Sequence, residues 1–292
     1  MVISNIIGGL GNQMFQYAAG RALALERGQS LRLDVSGFAG YGLHQGFELE
    51  RVFNCPGESA TSAEVRSILG WQFPAGIRRV VAHPAMKKFR RKGFVVEPHF
   101  HYWSGIASVA KDCYLFGYWQ SEKYFQAHVA AIRDDFTFKP PMTNGNAELA
   151  AQIAKENAVS LHVRRGDYAK NPKTTATHGL CSLDYYRAAI RYVAERVEHP
   201  CFFIFSDDIG WVKDNLGMGL PCQYVDHNQG QESYNDMRLM SLCRHHIIAN
   251  SSFSWWGAWL NPCPGKIVVA PRRWFANGND TKDLLPQGWV AL

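Results

Sequence analysis

The chain has 292 residues, of which 47% are hydrophobic and 19% are charged, so it can bury a core sufficient for two domains. This composition excludes a disordered protein, and the lack of an apolar run of about 20 residues excludes a membrane-spanning helix. The net charge of +6 is local, because seven basic residues and no acidic residue lie between positions 78 and 92.

The seven cysteines are scattered along the chain, odd in number and without a Cys-x-x-Cys pair. A disulfide framework is normally even and clustered, so we expect free thiols in a reducing compartment. The first residues lack the basic and apolar regions of a signal peptide. We therefore expect a cytoplasmic protein.

The N-terminal segment predicts a strand, a tight turn and a helix. An apolar run at 2–7 is followed by the glycine-rich turn 8–11, and helical spacing of apolar residues continues to a stop at Gly28. Apolar alternation at 31–35 then predicts a second strand, and this order is typical of a parallel sheet. The pattern weakens between residues 34 and 76. Later elements of this half are predicted at 115–119 (strand) and 124–136 (helix).

A proline- and asparagine-rich segment at 139–146 interrupts regular structure, and we place the domain boundary there. We expect an N-terminal domain at 1–143 and a C-terminal domain at 144–292. The second half alternates strands and helices, which predicts two doubly wound, Rossmann-like α/β domains that face a central cleft. Its strands are predicted at 159–163, 201–205, 223–225, 246–249 and 267–270, and its helices at 148–156, 183–197, 209–216, 234–243 and 253–260.

The strongest candidate site is HVRRGDY at 162–168, at the carboxyl end of a predicted strand, where open α/β sheets bind ligands. If the strand continues, His162 and Arg164 point to one face and Arg165 to the other. A guanidinium is planar and always charged, so it suits a diphosphate. Asp167 is placed to hold one of the arginines. An ordinary exposed ion pair is the alternative interpretation.

Two further strand ends carry polar residues. Ser251, Ser252 and Phe253 open a predicted helix, whose N–H groups and hydroxyls form an anion-binding cradle; simple helix capping is the alternative. Asp207 and Asp208 follow another strand, where a carboxylate can accept hydrogen bonds from guanine or ribose, or cap the next helix. The tryptophans at 255 and 256 are expected in the core.

The first glycine turn resembles a dinucleotide-binding fingerprint, with Asp34 near the position of a ribose-binding acid. Met14 occupies the position of the third glycine, so the match is incomplete. A glycine loop also allows a sugar or pyrophosphate to approach the backbone closely. From this turn we list the candidate ligand contacts Gly9, Gly11, Asn12 and Gln13.

A metal site is not expected. The chain has no Asp-x-Asp motif, and its histidine and aspartate pairs lack ligand spacing. If the leaving group is a diphosphate, Arg164 and a helix terminus must neutralise it in place of a cation. No other cofactor is predicted.

Five blocks occur in family order: GGLGNQMFQYA (8–18), FGYWQSEKYF (116–125), HVRRGDY (162–168), FSDD (205–208) and IIANSSFSWWGAWL (247–260). Together they resemble the bacterial and animal alpha-1,2-fucosyltransferase family, glycosyltransferase family eleven, over nearly the whole chain. The resemblance implies a GT-B fold, GDP-β-L-fucose as donor, inversion at the anomeric carbon and no metal. The poorly matching segment 38–111 is where acceptor specificity is expected.

The resemblance also implies roles for individual residues. Arg164 matches the arginine that grips the β-phosphate, His162 and one of Asp207 or Asp208 match positions near guanine or ribose, and the segment 251–253 matches the phosphate-side helix start. We expect Arg164, Arg165 and Asp167 to form the catalytic set. Three candidates for a general base follow from residue type: Asp34, His44 and Glu48.

The expected activity is transfer of L-fucose to the 2-hydroxyl of a galactose-terminated oligosaccharide or lipid-linked glycan. Three alternatives remain: a fucosyltransferase of another linkage, an NAD-dependent oxidoreductase, and a non-catalytic carbohydrate- or nucleic-acid-binding protein. The basic segment 78–92 is a solvated face, a contact for anionic lipid or a nucleic-acid surface. We expect no nucleic acid and a peripheral contact with the inner membrane surface.

Overall fold

The computed structural model describes residues 1–40, 42, 44–142, 144–166 and 172–292, and divides the chain into two compact units. The first comprises Met1–Pro140 and Asp280–Leu284; the second comprises Pro141–Asn279 and Leu285–Leu292. The predicted boundary assigned residues 280–284 to the second domain, but these residues pack with the first unit. Their anchor is Asp283, which accepts a hydrogen bond from the backbone N–H of Tyr102 (3.2 Å) and pairs with Lys123.

The first unit contains a five-stranded parallel sheet in the order β3-β2-β1-β5-β4. Its centre is β1, in which Val2 pairs with Leu31 on one side and with Cys113 on the other. Ile3 and Tyr114 of the central strands pack against the apolar face of the helix Ser62–Leu69. The strands are β1 (Val2–Asn5), β2 (Leu31–Asp34), β3 (Glu58–Ser59), β4 (Phe94–Val96) and β5 (Cys113–Phe116).

The helices of the first unit begin and end where the sequence supplies turn chemistry. The predicted first helix is confirmed: Gly8 turns the chain at φ 79°, and Gly28 ends the helix at φ 58°. A capping box of Thr61 and Glu64 starts α3. The helices are α1 (Leu10–Glu26), α2 (Leu49–Val52), α3 (Ser62–Leu69), α4 (Ala75–Val81) and α5 (Val129–Asp135), with 3₁₀ turns at Ser36–Phe38, Gly70–Gln72, Pro84–Phe89, Ser104–Ser108, Glu122–Tyr124 and Gln126–His128.

The second unit contains a six-stranded parallel sheet in the order β11-β10-β9-β6-β7-β8. Its strands are β6 (Asn157–Val163), β7 (Pro200–Ser206), β8 (Cys222–Val225), β9 (His245–Ile247), β10 (Val268–Ala270) and β11 (Val290–Ala291). Its helices are α6 (Asn144–Ile153), α7 (Pro172–His178), α8 (Leu183–Ala194), α9 (Ile209–Asn215), α10 (Tyr234–Leu242) and α11 (Ser252–Leu260), with a 3₁₀ turn at Gly230–Glu232.

Both faces of this sheet are covered, as a doubly wound fold requires. On one face Ile204 packs in a core with Tyr186 and Ile190 of α8. On the other face Phe203 and its neighbours pack against α10 and α6. Successive side chains of a strand point to opposite faces, so strands buried on both sides read as the continuous apolar runs of the sequence.

The predicted fold class is confirmed: each unit has a parallel sheet with helices, in the Rossmann-like manner. The predicted core tryptophans, Trp255 and Trp256, are fully buried. The short strands β3, β4 and β11 were not predicted. Within the described ranges, none of the helices combines the length and apolar character needed to cross a bilayer.

Candidate active site

Three of the predicted site segments converge at one edge of the second sheet. The strands β9, β6 and β7 are neighbours and parallel, and the register pairs Leu161 with Ile247 and Val163 with Ser206. The carboxyl ends of these strands therefore lie at the same edge. The chain segments that leave them, 164–166, 206–208 and 248–253, form the candidate site.

Asp207 orients the two arginines that follow β6. Its Oδ2 lies 3.0 Å from Nη1 of Arg164, and its Oδ1 accepts the backbone N–H of Arg165 at 2.8 Å. A β-carbon at Gly166 would lie 2.5 Å from Oδ2 of Asp207, so this approach requires glycine. Asp167, the predicted partner of an arginine, lies outside the described residues; Asp207 fills that role.

Arg165 is held differently from Arg164. Its guanidinium carbon lies 3.6 Å from the centre of the Trp211 ring, in cation–π geometry, and its Nε is 3.6 Å from Oδ2 of Asp208. That Nε is buried and has no hydrogen-bond partner in the described part of the chain. Asp208 itself caps α9 by accepting the N–H of Trp211 at 3.3 Å, so the capping alternative holds for this aspartate.

His162 is buried at the base of the site, and its ring centre lies 5.9 Å from that of Phe253. The pKa of His162 is lowered to about 4, chiefly by burial; the charge of Asp207 opposes this shift and the charge of Arg164 adds to it. The imidazole is therefore neutral near pH 7. Its Nδ1 is buried without a hydrogen-bond partner among residues that the structure describes.

The helix α11 begins at the same edge. Ser251 is its N-cap residue, yet the Ser251 hydroxyl makes no capping hydrogen bond, and no acidic residue occupies the first turn. The preceding Asn250 fixes the entry into the helix by donating to the carbonyls of His178 (2.9 Å) and Trp274 (3.1 Å). The start of α11 at Ser252 carries the partial positive charge of a helix N-terminus, which attracts anions.

Sequence reasoning missed a polar cluster beyond the carboxyl end of β8, the strand next to β7. Asn228 donates to Oδ1 of Asp236 (2.9 Å) and exchanges hydrogen bonds with Asn146, whose Oδ1 also contacts His227 (2.7 Å). Burial raises the pKa of Asp236 to about 7. These residues are up to ninety positions apart, and the end of the apolar strand at 225 is the sequence feature that points to them.

The glycine turn of the first unit uses Gln13 for structure. Gln13 is fully buried, its amide nitrogen donates to the carbonyls of Gly8 (2.9 Å) and Gly46 (2.7 Å), and its oxygen accepts the N–H of Glu48 (2.9 Å). The prediction that Gln13 contacts a ligand is therefore corrected, because its amide is already engaged. Gly11 is buried within α1, and Gly9 precedes that helix as its N-cap.

Asn12 and His44 are the polar neighbours of the turn. Oδ1 of Asn12 accepts a hydrogen bond from Gln120 (2.7 Å). His44 is exposed in a left-handed conformation (φ 59°), and a β-carbon at Gly9 would lie 3.4 Å from its ring. Of the three predicted base candidates, His44 is the one with an exposed side chain.

Asp34 is not a ribose-binding acid or an accessible base. It is 3% exposed, pairs with Arg78 (2.9 Å) and accepts hydrogen bonds from the Tyr114 hydroxyl (2.6 Å) and the Ser36 N–H (3.0 Å). Burial alone would raise the pKa of Asp34, but these hydrogen bonds and the charge of Arg78 lower it. Arg78 therefore does not contribute to an exposed basic surface at 78–92, because its guanidinium is buried and paired with Asp34.

Two other carboxylates of the first unit are shielded from water: Glu48 is buried and Glu97 is half-buried. Glu48 pairs with Arg51 (3.0 Å), and burial raises the pKa of Glu48 to about 7 against the charge of Arg51. Glu97, directly after β4, accepts the backbone N–H groups of Tyr118 (2.7 Å) and Trp119 (2.9 Å). Burial raises the pKa of Glu97 to about 7.

Within the described part of the chain, no group of three or more histidine, cysteine, aspartate or glutamate side chains is arranged to hold a metal ion. The positive charges at the candidate site are the two guanidinium groups and the partial charge of the α11 N-terminus.

Comparison with known proteins places this chain in a known family. The model of glycosyl transferase family 11 matches residues 79–292, and the chain belongs to that family. It is a glycosyltransferase. The resemblance to family eleven drawn from the sequence is confirmed, and the NAD-dependent oxidoreductase alternative is removed with the loss of Asp34 as a ribose ligand.

Two curated relatives cover the chain end to end. It is 39% identical to an alpha-1,2-colitosyltransferase of Escherichia coli over 100% of this chain and 99% of that protein. It is 36% identical to the O-antigen biosynthesis glycosyltransferase WbnK of Escherichia coli over 99% of each chain. Among solved structures it is similar to NodZ alpha-1,6-fucosyltransferase soaked with GDP-fucose (TM-score 0.53, 16% identity, 89% of this chain and 92% of that one). The last similarity concerns the fold, which is of the GT-B class.

Proposed function

We propose that this chain transfers L-fucose from GDP-β-L-fucose to the 2-hydroxyl of a terminal β-galactoside, with inversion at the anomeric carbon and without a metal ion. The family supports a sugar transferase. The 1,2 linkage is inferred from the alpha-1,2-colitosyltransferase relative, and the GDP-linked donor from the similarity to NodZ, whose crystals were soaked with GDP-fucose. The galactoside acceptor rests on the family resemblance of the sequence motifs.

The observation that carries the donor proposal is the pair of buried nitrogens at the carboxyl edge of the second sheet. Nδ1 of His162 and Nε of Arg165 are both buried without a hydrogen-bond partner in the described ranges. Leaving such a group unsatisfied costs about 1–3 kcal/mol, and a bound nucleotide rich in hydrogen-bonding groups would remove that cost. Asp207 holds Arg164 beside them, where a guanidinium can bind two phosphate oxygens.

The reaction breaks the bond between C1 of fucose and the β-phosphate oxygen, and GDP leaves with the electron pair. Negative charge builds on the β-phosphate as this bond stretches. Arg164 and the N-terminus of α11 stabilise that charge more strongly in the transition state than in the ground state. The acceptor 2-hydroxyl attacks C1 from the opposite face and gives its proton to a base, for which His44 is the accessible candidate in the first unit.

A second donor is favoured by the 39% identity to an alpha-1,2-colitosyltransferase over the whole chain. Colitose is fucose without its 3-hydroxyl, so the two donors differ in one hydrogen-bonding group. A site that pairs the 3-hydroxyl rejects the deoxy donor by about four orders of magnitude, whereas a site that leaves it unpaired accepts both.

The test is a matched assay of the purified chain with GDP-fucose and with GDP-colitose, each against β-galactosides that carry a free or a blocked 2-hydroxyl. We expect an α-1,2-fucosylated product by NMR, no product with the blocked acceptor, and unchanged turnover in EDTA. Transfer from GDP-colitose but not from GDP-fucose would show that the donor is GDP-colitose. Product on the blocked acceptor would show that the sugar is transferred to a hydroxyl other than the 2-hydroxyl. Loss of turnover in EDTA that manganese restores would contradict metal independence.

A further inference from the structure

A surface of the first unit between residues 71 and 92 combines exposed apolar side chains with basic ones. Trp71, Ile77, Val80 and Phe89 are 55%, 39%, 61% and 61% exposed. They are four of the eight large hydrophobic side chains exposed in the described ranges, within 22 consecutive positions. Apolar side chains that cluster in this way mark an interaction site more often than single exposed ones do. We call this region the 71–92 surface.

The structure sorts the seven basic residues of this surface into two groups. Three serve the fold: Arg78 pairs with Asp34, Arg90 donates to the carbonyl of Val81 (2.9 Å), and Arg91 donates to that of Ile68 (3.0 Å). The other four are exposed and make no ion pair with the described residues. These four exposed cations are Arg79, Lys87, Lys88 and Lys92.

The 71–92 surface is held in shape by hydrogen bonds from its buried side. Gln72 is fully buried; its amide nitrogen donates to the carbonyl of Phe89 (2.7 Å), and its oxygen accepts the N–H of Arg91 (3.2 Å). Arg90 ties the same 3₁₀ turn to the end of α4 through Val81. Because the backbone is fixed by these bonds, the exposed side chains are presented without a folding step.

We propose that the 71–92 surface binds the surface of an anionic lipid bilayer. Cationic side chains are attracted to acidic head groups, while aromatic and aliphatic side chains enter the boundary with the acyl chains. No acidic residue lies between positions 71 and 92 to oppose this attraction. The proposal does not depend on the identity of the donor sugar.

Two other occupants fit the surface less well. A nucleic acid would use the cations and the aromatic rings, but Ile77 and Val80 offer nothing to phosphates or base edges. A second copy in an isologous contact would place the four exposed cations against the same four cations. The bilayer is the partner that uses both the charge and the aliphatic side chains.

The test measures binding of the intact chain to vesicles by co-sedimentation. We expect binding to vesicles that contain about one-third phosphatidylglycerol, at least tenfold weaker binding to neutral phosphatidylcholine vesicles, and weakening by salt. Lys87→Glu/Lys88→Glu is expected to weaken binding at least tenfold, and Val80→Ser/Phe89→Ser about as much. Turnover of a free, water-soluble acceptor is expected to stay within twofold, which separates this result from failure of the proposed function.

Matched variants in the second unit control for charge and for apolarity. Lys155→Glu/Arg191→Glu makes the same change in net charge at two exposed positions, and Leu242→Ser removes an exposed apolar side chain. Both are expected to bind vesicles like the wild type. The proposal is overturned by absence of binding to anionic vesicles, or by equal losses in control and test variants. Single-stranded RNA binding tighter than vesicle binding, or a dimer that the Lys87/Lys88 variant dissociates, would also overturn it.

Discussion

Buried polar residues lie at the sheet edges of both units, but they serve different purposes in the two. In the first unit Gln13 and Asp34 are buried, and their polar atoms are engaged by the chain itself. In the second unit Arg165 and His162 also lie at a sheet edge, but each keeps a buried nitrogen without a hydrogen-bond partner among the described residues. A polar residue after a strand therefore indicates a binding site only when its hydrogen bonds remain incomplete.

The largest expected effect is a loss of stability when Asp34, a structural residue of the first unit, is replaced. Asp34→Ala would leave the buried Arg78 guanidinium without its carboxylate, so we expect the free energy of unfolding to fall by about 3–5 kcal/mol. The urea-denaturation midpoint measures this loss. As a control, Asp184→Ala removes an exposed partner of Arg187 and is expected to cost less than about 1 kcal/mol. Equal stability of the two variants would contradict a structural role for the buried Asp34–Arg78 pair.

The contribution of Asp34 to stability is also expected to depend on pH. Its pKa is lowered in the folded chain, so its contribution to stability is present above the unfolded value of about 3.9 and is lost as the pH falls through the lower folded value. Urea midpoints measured from pH 5 downwards should fall less steeply for Asp34→Ala than for the wild type. Parallel curves would contradict the assigned pairing.

The next effect concerns catalysis at the second edge. We expect Arg164→Ala to lower kcat a hundredfold or more, equivalent to about 2.7 kcal/mol of transition-state stabilisation, while changing the urea midpoint little. Arg164→Lys keeps the charge but loses the two-point contact, and we expect an intermediate loss of about tenfold. Steady-state kinetics with saturating donor measures both. A kcat of Arg164→Ala within tenfold of the wild type would remove Arg164 from the mechanism.

A smaller effect is expected at His44. If its imidazole takes the acceptor proton, His44→Gln lowers kcat about tenfold or more, and steady-state kinetics with saturating donor and acceptor measures the loss. His199 is a matched control, because it is also an exposed histidine with positive φ (47°). His199→Gln should leave kcat unchanged. A kcat of His44→Gln within about twofold of the wild type would leave the reaction without this base.

The smallest effect compares two serines at helix starts. Ser182 caps α8 by accepting the N–H of Tyr185 (3.1 Å), whereas Ser251 makes no capping hydrogen bond. We expect Ser182→Ala to cost about 1 kcal/mol of stability and Ser251→Ala only a few tenths. Calorimetry should show weaker GDP binding for Ser251→Ala and unchanged binding for Ser182→Ala. The reverse pattern would make Ser251 an ordinary cap.

The second unit was predicted more completely than the first because its strands are buried on both faces. Runs such as 201–205 are continuously apolar, so strand and helix alternate plainly in the sequence. In the first unit β3 and β4 are only two and three residues long, and they lie in a segment rich in turns. Strands of that length are recognised by their pairing with distant residues, which local pattern does not contain.

The site was predicted in its residue types but not in its pairings. Position at strand ends was enough to select Arg164, Asp207 and the start of α11. The sequence suggested helix capping for one of the two aspartates but did not show that it is Asp208. It also did not reveal that Asp34 is engaged by Arg78 and Tyr114, since those partners are 44 and 80 positions away. Which polar residue remains available is a property of packing.

The central claim is that Arg164 and the N-terminus of α11 together hold the departing nucleotide. The most direct measurement is a crystal structure of the chain with GDP. The account predicts β-phosphate oxygens within about 3 Å of the Arg164 guanidinium and of the first N–H groups of α11, with the base or ribose reaching the buried Nδ1 of His162. A GDP molecule whose phosphates lie away from both groups would contradict it.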